Sequence, residues 1–244
     1  MPHAPGLFVL LGFSSLSSGL KPCLTKGHYL YIILIDTKKH VLENYMRYTE
    51  FYRFFNDRLV FSLDEIRQRE PSFDKSRLYE WVRKAYIHRL IKPYYYFEGA
   101  GFGEPQLFKA ANTVYRPSYI SLESALSYHG LIPEKPLSVT SVSTRKTASF
   151  ETRLGRLVFR RVATRLFFGY YPESGGFLVA EPEKALLDMF YLNPAAADRD
   201  TIEAMRLDPG ALREKVDRLK LMSYADRTGV MRVKRAAKIL GGML

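Results

Sequence analysis

The chain has 244 residues, a formal net charge of +12 and a pI of about 9.7, and 47% of its residues are apolar. That length suits one large domain or two small ones, and the apolar fraction excludes a chain that is disordered throughout. The single cysteine, Cys23, excludes a disulfide framework and a multi-cysteine zinc site and is compatible with a reducing cytoplasm, while the lack of an apolar run of ~18 residues predicts no transmembrane helix.

Residues 1–43 differ from the rest, because every arginine lies at Arg47 or later. LFVLLGF (7–13) has the length of a signal core, but no lysine or arginine precedes it, so secretion is not expected. HYLYIILIDT (28–37) reads as a strand. The working expectation is that the functional chain starts near Met46 and that 1–43 is an atypical extension or an added arm.

From there the elements follow one another closely. YMRYTEFYRFFND (45–57) places Tyr48, Phe51, Tyr52 and Phe55 on one helical face. LVFSLDEIRQREP (59–71) is a short strand entering a helix, with Ser62 and Glu65 spaced as a capping box and Pro71 as the stop. A second helix starts at Asp74, with Leu78, Trp81, Val82 and Ala85 as its apolar stripe and Ser76, Tyr79, Glu80 and Arg83 opposite, Arg77 and Lys84 flanking. IHRLIKPYYYF then reads as two short strands joined at Lys92-Pro93.

Helix, strand, helix, helix, basic hairpin is the order of a winged helix-turn-helix, expected over 44–98. Residues 75–97 gather six basic residues against one acid, Glu80. Such a helix can present side chains to base edges while the hairpin reaches phosphates. Ser76, Arg77, Tyr79 and Arg83 are the candidates for groove contacts, and Lys75, Lys84 and Lys92 for phosphates. The opposing reading makes Glu80–Lys84 an i,i+4 pair on a solvated face.

GAGFGEP (99–105) has Glu104 where a phosphate loop would need glycine, so it reads as the exit from the hairpin and a domain boundary. A second domain, 104–244, is expected to be mixed α/β, with a small sheet and C-terminal helices, giving an α+β chain overall. EPQLFKAANTVY (104–115) is helical. The next helix is capped by Ser121 and closed by Gly130, and His129 at its end is a packed histidine rather than a ligand. LSVTSVST (137–144) and RLVFRRVA (156–163) are strands. Around them Arg145, Lys146, Arg153, Arg156, Arg160, Arg161 and Arg165 form a second basic patch, opposed only by Glu151, that suits DNA, an acidic partner, or plain solvent. GFLVAEPEKALLDMFYL (176–192) is a strand and a helix with Pro182 in its first turn. Glu183 favours the positive end of that helix, and Leu186, Met189 and Phe190 pack on the sheet. From Thr201 onward the chain reads as several helices.

No nucleophile elbow, Walker loop or metal-binding histidine pair is present, and Asp198-Arg199-Asp200 reads as a turn and cap rather than a metal site. The chain is not expected to be an enzyme or to hold a cofactor or metal.

FDKSRLYEWVRKAYIHRLIKPYYYF, YRPSYISLESALSYHGLIPE, VTSVSTRKTASFETRLGRLVFRRV, FLVAEPEKALLDMFYL and EAMRLDPGALREKVD follow in order over about 200 residues. Together they resemble the AbiEi-type antitoxins and transcriptional regulators of bacterial abortive-infection toxin–antitoxin systems. That resemblance implies a winged helix binding inverted repeats in the promoter of its own operon, and a C-terminal domain carrying antitoxicity. It implies a nucleotidyltransferase-like toxin, countered without a required stable complex, and a cytoplasmic protein. The pattern departs at the hairpin, where Lys92-Pro93 replaces a glycine-containing turn, and at 1–43, which has no counterpart. The alternatives are a module that sequesters a protein through the 145–165 sheet with no DNA role, and an RNA-binding protein.

Overall fold

The first helix of the described residues, α1 (Tyr48–Phe55), carries aromatic residues at a spacing that must bury one side, and Phe51 and Phe55 are buried while Tyr52 stays exposed. In a computed structural model, which describes residues 46–244, α1 opens a mixed α+β chain with ten helices, two short 3₁₀ turns and two sheets among the described residues. The expectations for 1–43, the strand over 28–37 among them, lie outside the described residues.

After α1 come β1 (Phe61–Ser62), α2 (Leu63–Arg69), α3 (Ser76–Arg83), β2 (Ile87–Ile91) and β3 (Tyr94–Phe97). The three strands pair antiparallel in the order β1-β3-β2. The capping box forms as the spacing predicts. Glu65 N–H donates to Ser62 Oγ at 3.2 Å, and Ser62 N–H donates to the Glu65 carboxylate at 2.7 Å. Phe51 is the hub of an aromatic core, with ring centroids 4.6 Å from Trp81, 5.0 Å from Phe55 and 5.2 Å from Phe61. Edge-on and stacked contacts of this kind add about 0.5–1.5 kcal/mol per pair beyond the area they bury.

The second sheet has six strands: β4 (Ser118–Ile120), β5 (Ser138–Ser143), β6 (Ala148–Thr152), β7 (Gly155–Arg161), β8 (Tyr170–Pro172) and β9 (Leu178–Ala180). They lie in the order β6-β7-β5-β4-β9-β8, with β5–β7 and β4–β9 parallel and the other pairs antiparallel. Helix α4 (Glu104–Val114) packs on β4, β5 and β9, and α5 (Leu122–Tyr128) packs on β5. Helix α6 (Pro182–Leu192) is the central post, touching α5, α9 (Arg218–Thr228) and α10 (Met231–Gly241). Helices α7 (Arg199–Ala204) and α8 (Pro209–Lys215) complete the C-terminal layer. No helix among the described residues is long and apolar enough to cross a membrane.

Three details differ from the sequence reading. Ala85 does not extend the stripe of α3. It follows the helix end at φ 56° and is exposed. Ser121 holds the N-cap position of α5, but its hydroxyl does not cap. It donates instead to Asp188 at 2.8 Å. Glu183 does stand in the first turn of α6, as expected, but the sequence does not show its burial. Its carboxylate accepts from the backbone N–H of Asp217 at 2.8 Å, which joins α6 to the start of α9.

Candidate nucleic-acid interface

Helix α3 is two-sided for a simple reason. Leu78 and Trp81, three apart, are buried against the aromatic core. Ser76, Tyr79 and Arg83 therefore project outward, and Tyr79 is 56% exposed. Asp74 does not take the N-cap position expected of it: Lys75 stands there without a side-chain cap, and Asp74, one residue earlier, accepts from the Ser76 N–H at 2.8 Å and also from its hydroxyl. Those hydrogen bonds hold the Asp74 carboxyl below the usual carboxylate range.

Charge on this face is less than the sequence count suggests. Glu80 accepts from Arg77 at 3.0 Å and from Lys84 at 2.7 Å. Its carboxyl is held low by those two hydrogen bonds, that from Lys84 first. The i,i+4 pair weighed from the sequence is thus formed. Pairs of this exposure are worth little, so an incoming phosphate can displace Glu80 at small cost. Lys75, Arg83, Arg89 and Lys92 are exposed and make no side-chain hydrogen bond or ion pair among the described residues. Lys92 sits at the hairpin tip, where the Lys92-Pro93 peptide bond is cis and a bulge lies between Arg89 and Ile91.

The basic residues grouped by sequence around 145–165 are exposed except for Arg160, which is half-buried, and most of them hydrogen-bond or pack against neighbouring groups. Along β7, Arg156, Val158 and Arg160 share a face and Arg161 takes the other. Arg156 pairs with Glu151 at 3.1 Å and donates to Ser149 at 2.9 Å. Arg160 donates to the carbonyl of Leu192 at 3.2 Å, and Arg165 to that of Thr228 at 2.7 Å. Arg145 lies over the Tyr115 ring, 4.3 Å from its centroid, and donates to the carbonyl of Arg116. Arg153 donates to His88 at 2.9 Å. Lys146 and Arg161 keep their charged ends without a partner among the described residues. Arg156 and Arg160 also line an open groove of about 460 Å³ whose other residues include Glu123 and Glu134. Mixed charge there suits a polyanion less well than the sequence implied.

What the sequence missed is a buried polar knot under α6. Lys184 and Asp188 are each about 2% exposed and form an ion pair. Tyr119 donates to Asp188 at 2.9 Å and accepts from Lys184 at 2.8 Å, and Ser121 adds its hydroxyl to Asp188. Burial, and Asp188 beside it, push the Tyr119 hydroxyl well above its ordinary range, so it remains a donor. The i,i+4 spacing of Lys184 and Asp188 in EPEKALLD was visible, but no local pattern shows that it would be buried.

Two other candidates resolve as structural. His129 is buried, and its Nε2 donates to the carbonyl of Ala180 at 2.7 Å. Asp198 caps α7, accepting from the Thr201 N–H at 2.9 Å. Among the described residues no cluster of histidine, cysteine or acidic side chains could hold a metal ion. No family model matches the chain, and no curated protein matches it.

Proposed function

We propose that the segment 44–98 is a winged helix-turn-helix and that the protein binds double-stranded DNA. More particularly, it represses its own operon at inverted repeats in the promoter, and through its C-terminal part, 104–244, it counters the effect of a cognate nucleotidyltransferase-like toxin in the cytoplasm. One observation carries the DNA half. Helix α3 is sealed by Leu78 and Trp81 on one side, presents Ser76, Tyr79 and Arg83 on the other, and is followed by a hairpin whose exposed tip carries Lys92. The sheet order β1-β3-β2 is also that of a winged helix. A helix of this width enters a major groove, with Arg83 and Tyr79 at base edges and Lys92 beside a phosphate. The antitoxin half rests on the likeness of the YISLESALSYHGLIPE and EPEKALLD segments to AbiEi-type proteins. No direct contact with the toxin is required.

A gel shift with the DNA upstream of the gene, against scrambled DNA and RNA of equal length, tests the reading. Retarded promoter DNA alone is the expected result. Equal binding of all three would replace sequence reading by nonspecific attraction, and preference for RNA would overturn the DNA assignment. One observation favours the rival, a protein-sequestering module. Leu137 is fully exposed at the rim of the groove lined by Arg156 and Arg160. A protein that shifts none of the nucleic acids would favour it.

A further inference from the structure

The hairpin that carries Lys92 is held from behind. Tyr95 and Phe97 are buried, and Phe61 of β1 lies 4.9 Å from Phe97 and 6.3 Å from Tyr95, which ties them to the aromatic core. Leu90 and Tyr96 belong instead to the core of the second sheet, and Tyr96 meets Phe102 edge-on at 5.1 Å. Beside Tyr96 sits His88, paired with it across the strands and 5.3 Å away ring to ring.

His88 is the middle of a three-residue chain. Arg153, in the turn between β6 and β7, donates from Nη1 to His88 Nδ1 at 2.9 Å. A guanidinium can only donate, so Nδ1 is the acceptor and the ring proton is on Nε2. Nε2 in turn donates to the carboxylate of Glu98, just past the end of β3. The hydrogen bond from His88 holds the Glu98 carboxyl below its ordinary range, and the charge of Arg153 adds to this. The guanidinium is thus committed to a side chain of the hairpin base. The tip at Lys92 lies four residues further along the strand, about 13 Å away at ~3.3 Å per residue. Over that lever a tilt of about 10° at the base moves the tip by roughly 2 Å, enough to break a phosphate contact.

We propose that Arg153 is a positioning residue: acting through His88 and Glu98, it fixes the direction of the basic hairpin from the second sheet, and so sets DNA affinity without touching DNA. This rests on the DNA-binding reading above, and it makes the β6–β7 turn one point, besides the packing of Leu90 and Tyr96, where the C-terminal part can influence the hairpin.

Two measurements on the full chain test it. Amide hydrogen exchange over residues 87–97 should quicken in Arg153→Ala and in His88→Ala, with α6 and β4 unchanged. Promoter affinity should then be measured for wild type, Arg153→Ala, Lys92→Ala and the double variant. Arg153→Ala should weaken binding on the order of 3-fold or more alone and add nothing to Lys92→Ala, as for residues acting through one contact. Losses that multiply in the double variant would show Arg153 meeting phosphate itself, or the fold merely loosened, and would overturn the proposal. So would hairpin exchange that does not change. Wild-type protein that fails to bind the promoter would sink the DNA reading and the affinity half of this proposal, while the exchange result reports the latch independently.

Discussion

Removing Asp188 isolates a buried charge. In Asp188→Ala the Lys184 ammonium, about 2% exposed, loses its counter-ion and keeps one hydrogen-bond partner, the Tyr119 hydroxyl at 2.8 Å. The hydroxyls of Tyr119 and Ser121 lose their acceptor at the same time. Breaking a buried ion pair from one side costs about 3–5 kcal/mol, because the remaining charge cannot recover its hydration. Lys184→Met should cost less. It leaves Asp188 with two hydroxyl donors at 2.8 and 2.9 Å, and a methionine chain fills the volume beside Phe168. Urea unfolding at pH 7, fitted for midpoint and slope, reads both. At about 2–4 °C per kcal/mol for a chain of this size, Asp188→Ala should also lower Tm by roughly 6–20 °C. An Asp188→Ala protein within about 1 kcal/mol of wild type, with an unchanged slope, would refute the claim that this pair is desolvated and mutually dependent.

Burial pushes the His129 imidazole below its ordinary value of 6.5, an effect opposed by its hydrogen bond to Ala180. The unfolded chain therefore binds the proton more readily, so stability is full above about pH 6.5 and falls as the pH drops below it. Unfolding free energy should decline from pH 7.5 to 5.5, and His129→Gln should flatten that slope; an unaltered slope would exonerate His129. Ser62→Ala removes the capping box of α2 and should cost about 0.5–2 kcal/mol, read by thermal unfolding, with Ser62→Thr close to neutral. Arg83→Ala should weaken promoter binding by about 1–3 kcal/mol and relax preference at one base position, while Lys92→Ala should weaken all sequences evenly and lower the salt slope by about 1. An Arg83→Ala protein that binds as wild type would remove α3 from the groove.

The short-range features were legible in the sequence because they are written in short-range chemistry. Phe51 and Phe55 at helical spacing, Ser62 with Glu65, Asp74 before its helix, Gly130 at φ 67° and the turn at Lys92-Pro93 each involve residues within a few positions of one another. A period of 3.6 or 2 also assigns faces, which is why the sequence shows Ser76, Tyr79, Glu80 and Arg83 opposite the apolar stripe. Tertiary pairing decided the rest. The strand order β6-β7-β5-β4-β9-β8 joins segments far apart in the chain, and no local pattern encodes it. Charge counts mislead for the same reason. A cluster of arginines in sequence says nothing about which guanidiniums will find a carbonyl, as Arg160 and Arg165 do, or an imidazole, as Arg153 does. The i,i+4 spacing of Lys184 and Asp188 says nothing of their burial, which comes from Tyr119 and Ser121 arriving from β4 and its exit to close over them. Periodicity fixes which side of an element a residue occupies; only the packing of distant elements fixes whether that side meets water.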